Sequence, residues 1–176
     1  SDVYKRQQLA EGITHMEFMA KLYKKQVEGG RVFLHENPAH AKPWALPCIR
    51  RLMRDLGVYV VEADQCMYGL HTWGPNGQRL HARKPTRFMT NSREIAVQLG
   101  KLCGGSHSHQ ELTGSRGQAA ARYPAALCKA ICRGLAREIH CSKMGLMAVT
   151  HISPSDVVET SEVQHENMWA QARDDV

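Results

Sequence analysis

At 176 residues the chain is long enough for one compact domain with a real core. Its 43% hydrophobic and 6% aromatic content suits an α/β or α-rich domain, and no apolar run approaches the roughly 18 residues of a membrane span. Charge is uneven: residues 141–176 hold two bases and six acids, which leaves 21 bases against 11 acids, a formal +10, on residues 1–140. A basic body of that kind suits a polyanion such as nucleic acid, although solubility alone also produces basic proteins.

The opening SDVYKRQ resembles the read-through translation of a sequencing adapter, so residues 1–7 are set apart from the fold and the natural protein is expected to extend further upstream. Residues 8–28 place Ile13, Met16, Met19, Ala20, Tyr23 and Val27 at helical spacing, and Gly29-Gly30 stops that helix. An apolar strand, Arg31–His35, follows at once and runs into Glu36-Asn37-Pro38. Helix, glycine stop and apolar strand together read as the second half of a βαβ unit. After Pro43-Trp44 a short helix runs to Gly57, and a second apolar strand (58–63) leads into Asp64-Gln65-Cys66.

Pro75-Asn76-Gly77 is a strong turn signal, which predicts a hairpin with a return strand near Lys84 to Thr90. Asn91 or Ser92 then caps a helix through about Leu102. Residues 103–117 form a loop rich in Gly, Ser and His. Residues 119–139 put Leu127, Ala130, Ile131, Leu135 and Ile139 on one helical face, with Pro124 in its first turn. Beyond Cys141 the chain is acidic and aperiodic, which predicts a linker or tail.

Two features carry chemistry. Polar groups end both apolar strands, and in parallel α/β sheets ligands bind at the carboxyl ends of strands. Glu36 and Asn37 are therefore expected in one concavity with Asp64, Gln65 and Cys66, and with Thr86, Arg87 and Lys84 returning beside them. The bland alternative makes Glu36 a helix cap and both clusters ordinary loop starts. The second feature is Cys103-x3-His107-x-His109, which offers three borderline ligands on one loop, with Cys66 as a fourth for zinc. Cys128-x3-Cys132 lies on one helical turn, where packing is the default, and Cys48 after Pro47 reads as a core thiol. The six cysteines are not spaced like a secreted disulfide framework, which points to a reducing compartment, nuclear or cytoplasmic.

GRVFLHENP, GVYVVEADQCMYG, KPTRFMTN, CGGSHSH and YPAALCKAI together resemble a methyltransferase-like domain found in retroelement-type polyproteins of protists such as dinoflagellates. That domain is similar to DNA cytosine-5 methyltransferases, and the resemblance covers roughly residues 13 to 136. It implies a Rossmann-like half-domain with a β-hairpin and carboxyl-terminal helices, over residues 8–140. It implies that Glu36 and Asn37 match the Glu-Asn dipeptide whose glutamate hydrogen-bonds a flipped cytosine. It further implies that Tyr68, Lys84 and Arg87 serve nucleic acid, DNA above all. The Gly-rich S-adenosylmethionine loop and the Pro-Cys nucleophile do not occur before Gly30. The cofactor would therefore need an upstream half, and residues 8–140 alone are not expected to methylate. Two alternatives stay open: a zinc-stabilised nucleic-acid-binding module, and an inert retroelement polyprotein segment.

Overall fold

The structure is a computed structural model, and it describes residues 2–55, 57–114, 117 and 120–144. The chain divides into two units, 1–139 and 140–176. The second is described only at residues 140–144, so the expected acidic tail lies almost wholly outside the described residues.

Helix α1 (Asp2–Glu28) carries Met16, Ala20 and Tyr23 inward and begins within the segment set apart as adapter-like. Strand β1 (Leu34–Pro38) follows, then a 3₁₀ turn (Lys42–Ala45), helix α2 (Pro47–Leu52) and strand β2 (Tyr59–Asp64). A second 3₁₀ turn (Gln65–Tyr68) leads to strands β3 (His71–Trp73), β4 (Arg79–His81) and β5 (Pro85–Thr90). Helix α3 (Arg93–Leu99) is capped by Ser92, whose Oγ accepts the Ile95 N–H at 3.2 Å. Helix α4 (Ala125–Lys143) completes the described chain, and no helix among the described residues is long and apolar enough to cross a membrane.

The chain is mixed α/β, but its sheets are antiparallel rather than the parallel sheet of a Rossmann-like half-domain. The main sheet has the order β1-β5-β2, and β5 runs antiparallel to both neighbours. Strands β1 and β2 thus point the same way, yet β5 lies between them. Burial explains the insertion. Thr86 to Thr90 are all buried, with Phe88 and Met89 at 1% or less, so this strand needs a partner on each edge and a covered face on each side. The segment was expected to return a hairpin. The hairpin instead closes earlier, as β3 against β4, and β5 is an independent central strand.

Alternation along β5 sorts the core into two layers. Met89 points into one with Met16, Ala20, Tyr23, Phe33, Trp44, Ile49 and Leu52, supplied by α1, α2 and the segments beside them. Phe88 points into the other with Ala63, Tyr68, Ile95, Leu99, Leu127 and Ala130, where α3 and α4 cover the sheet. Three layers result: helices, a three-stranded sheet, helices.

Helix α4 approaches α3 closely because residue 134 is glycine. A Cβ there would stand 2.6 Å from Ile95 Cα and 3.0 Å from the Glu94 carbonyl oxygen. Buried Glu138 accepts a hydrogen bond from Ser92 Oγ at 2.5 Å and so ties the two helices at their contact. Alanine ordinarily stabilises a helix interior by about 1 kcal/mol over glycine. Here backbone stands in the way, and overpacking outweighs propensity. Gly134→Ala is expected to lower the unfolding free energy by about 1–3 kcal/mol in urea titration, and a stabilised variant would refute the close approach.

Candidate metal centre

Strand β2 ends in a carboxylate that holds two later segments of the chain against it. Asp64 is 1% exposed. Its Oδ1 accepts from Arg83 Nε at 3.0 Å, and its Oδ2 accepts the Cys103 backbone N–H at 2.9 Å. The Asp64 N–H donates in turn to the Lys101 carbonyl at 3.0 Å. These bonds pin the start of the Gly/Ser/His loop to the end of β2. The next residues coil into the Gln65–Tyr68 turn, which Gly69 ends at a φ of 80°, and this turn buries Cys66 beside the pinned loop.

Cys103 then leads through Gly104 and Gly105, the latter at a φ of 77°, to His107 and His109. The tight bend lets the Gly105 N–H point at Cys103 Sγ, 3.4 Å away. His107 Nε2 and His109 Nε2 each lie 3.6 Å from Cys103 Sγ, and one donor atom from each of Cys66, Cys103, His107 and His109 falls within 4.8 Å of the others. Tetrahedral zinc with bonds of about 2.3 Å to sulfur and about 2.05 Å to nitrogen spans an S···N edge of about 3.6 Å. Two of the spacings therefore equal a zinc edge, and the Cys2His2 set is a composition that zinc takes. The four side chains could hold a metal ion.

Without a cation the four groups are poorly matched to one another. Burial, with Cys103 and Asp64 close by, pushes the Cys66 thiol up to about 11. A divalent ion reverses that preference, because a coordinated thiol is deprotonated outright.

The hairpin joins the centre at its root. His81 makes a parallel bridge to His109, and the Gln110 N–H donates to the His81 carbonyl at 2.8 Å. The His81 ring stacks on His107 with centroids 3.9 Å apart, and the His71 ring lies tilted against it at 4.3 Å. Burial and the neighbouring rings lower the His81 pKa, in keeping with a buried Nδ1 that has no hydrogen-bond partner. Neither His71 nor His81 stood out in the sequence. Their signal is the period-2 alternation of His-Thr-Trp and Arg-Leu-His, which puts His71, Trp73, Arg79 and His81 on one face of the hairpin.

The other candidate residues do not gather at one point. Glu36 lies inside β1 rather than beyond its end, opposite Phe88 on the α3/α4 side. Its Oε2 accepts from Tyr123 Oη at 2.6 Å, while its Oε1 is buried without a partner. Thr86 shares that side and accepts from Gln65 Nε2 at 2.9 Å. Arg87 faces the opposite layer, 6% exposed, and donates to Glu62 Oε1 from Nε at 2.8 Å and from Nη2 at 2.6 Å, its guanidinium 5.5 Å from the Trp44 ring. Lys84 Nζ donates to the Ala120 carbonyl, and the buried Tyr68 hydroxyl donates to the Gln98 carbonyl. Arg87 does not pair with Glu36 because successive residues of a central strand face opposite layers, whereas Lys84 Nζ lies 5.9 Å from the centre of the Tyr123 ring and spends its hydrogen bond on the Ala120 carbonyl. Asp64 and Cys66 belong to the metal centre.

Asn37 belongs to a third group, with His35. Asn37 Nδ2 donates to His35 Nε2 at 2.9 Å, which leaves Nδ1–H to donate to Tyr23 Oη at 2.9 Å, so the imidazole is neutral. Burial lowers its pKa from 6.5 to about 4. The unfolded chain therefore binds the extra proton first. Stability from His35 is complete above pH 6.5 and is lost as pH falls through the window from 6.5 to 4, by roughly 3 kcal/mol at pH 4. Urea unfolding at pH 7 and pH 4 should show a steeper acid loss in wild type than in His35→Gln. Equal losses would mean that His35 charges freely in the folded state.

No protein-family model matches the chain, no curated protein sequence matches it, and no solved structure matches its fold.

Proposed function

We propose that this chain is a zinc-stabilised nucleic-acid-binding module. The observation that carries the metal is the donor set of Cys66, Cys103, His107 and His109, with both histidine nitrogens at the zinc edge length from one sulfur. Asp64 supports it from outside by holding the Cys103 backbone, as partners beyond the ligands orient other zinc sites. The ion is structural in this reading. All four positions belong to protein side chains, which leaves no place for a reacting water.

The polyanion partner rests on charge. Residues 65–93 contain five bases and no acid, and this run includes the hairpin rooted in the metal centre. The methyltransferase reading gains less. Glu36 is held by Tyr123 and Arg87 by Glu62, so neither side chain stands free toward a base. Kinship through that domain would concern ancestry, and the four ligands stand without it.

Purified chain should carry close to one zinc per molecule by elemental analysis. A chelator should lower its melting temperature, because metal bound only by the folded state adds directly to folding stability. Cys103→Ser should lose the metal and melt at the chelated temperature. Metal-loaded protein should bind DNA with an affinity that falls steeply as salt rises from 50 to 200 mM. Metal-free protein with an unchanged melting curve would remove the zinc, and salt-independent binding or none would remove the nucleic acid.

A further inference from the structure

Resting on the nucleic-acid reading, we propose that the β3–β4 hairpin is a stacking surface for a single-stranded polynucleotide, with Trp73 as the base platform and Arg79 as the phosphate contact. Trp73 is 66% exposed, and no aromatic side chain among the described residues is more exposed. An indole left in water at the end of a short strand adds nothing to the core, and the case for a partner rests on what stands beside it.

Three further observations point to the same partner. The first is registry. Trp73 stands directly across from Arg79, and His71 across from His81, so an aromatic ring and a guanidinium lie side by side on one hairpin face. The His107 and His81 rings stack and the His71 ring lies tilted against His81, so a row of imidazoles leads from the proposed metal centre onto that face. The second is charge. The bases nearest in sequence are already committed, Arg83 to Asp64, Lys84 to the Ala120 carbonyl and Arg87 to Glu62. Arg79 is exposed, and its nearest contact, His71 Nδ1 at 3.4 Å, already donates its proton to the Gly69 carbonyl at 2.7 Å. It is left for an external anion.

The third is stiffness. The Gly77 N–H donates to the Gly74 carbonyl at 3.1 Å, the Gly74 N–H to the Gln78 carbonyl at 2.8 Å, and Gly77 adopts a φ of 74° that closes the turn. Pro75 fixes the backbone between them. The platform therefore loses little freedom when a base settles on it. Every base offers a π-face and every nucleotide a phosphate, so a ring beside a cation fits a single strand without sequence preference. In a duplex the base faces are stacked on one another and closed to Trp73.

The test uses the full metal-loaded chain and a fluorescent 15-nucleotide oligothymidylate, read by anisotropy at low salt. Wild type should bind the strand more tightly than a duplex of equal length. Trp73→Ala should weaken binding at least about tenfold, the scale of one lost stacked base, with zinc content and melting temperature unchanged. Trp73→Phe should keep most of the affinity, and Arg79→Ala should flatten the salt dependence by about one phosphate contact. Salt-dependent binding unaffected by Trp73→Ala would overturn the hairpin surface while leaving the nucleic-acid reading intact, as would tighter binding of the duplex. Folded, metal-loaded wild type that binds neither form would overturn both.

Discussion

The carboxylate of Asp64, 1% exposed at the end of β2, has to be satisfied where it lies, because an isolated buried charge costs several kcal/mol. The two groups that satisfy it come from different parts of the chain: the Arg83 guanidinium from the link between β4 and β5, and the Cys103 amide from the loop after α3. Meeting one electrostatic requirement therefore draws three segments together. Cys66, two residues beyond Asp64, and Cys103, whose own amide is the donor, are brought close as a result. The spacing of the two sulfurs is set by the carboxylate before any ion is present. The fold thus forms the Cys/His cluster by itself, and a metal bound there under the proposed function would tie down the same loop that Asp64 holds.

The held loop matters most for the hairpin. Two three-residue strands bury little by themselves and are marginal in water. Leu70, Ala82 and Ala120 form only a small apolar cluster beneath them, with Leu112 beside it. The remaining support comes from the metal-site loop, through the His81–His109 bridge, the Gln110 bond and the His81–His107 stack. Core packing alone accounts for the sheet and its helices. It does not account for a presented hairpin, which leans instead on the loop that carries Cys103, His107 and His109.

Much of this is legible in the sequence, and the failures have one cause. The helical stripe of α1, the Ser92 cap, the apolar strands and the cluster of Cys66, Cys103, His107 and His109 all rest on local spacing or chemistry, which survives folding. Sheet order does not. PTRFMT looks like the return arm of a hairpin because Pro75-Asn76-Gly77 signals a turn, yet that turn is closed by the nearer Arg79–His81. Its six residues are then free to enter the sheet between β1 and β2. The turn at Pro75-Asn76-Gly77 is legible, but its arms β3 and β4 carry no long apolar run and are marked only by short alternation. A strand buried on both faces is recognised by its apolar run, and here Thr86, Arg87 and Thr90 interrupt that run. Their polar atoms are satisfied inside the sheet: Thr90 Oγ1 donates to the Phe33 carbonyl at 2.6 Å, and Arg87 is paired with Glu62.

The central position of β5 also decides which chemistry is possible. Residues on one strand that face opposite layers cannot share a pocket, so Phe88 and its neighbour Glu36 on one side are separated by the sheet from Arg87 and its neighbour Asn37 on the other. A glutamate and an arginine that look like partners in sequence are thereby given different ones, Tyr123 and Glu62. The four clustered Cys and His side chains escape this separation because none of them lies on a strand of the main sheet. Cys66 sits in the turn after β2, and Cys103, His107 and His109 sit in the loop after α3, where backbone direction is set by glycine rather than by the pleat. Convergence of four donors is open to turns and loops in a way that it is not to consecutive strand residues, and it is at the edge of this sheet that the chain brings its reactive side chains together.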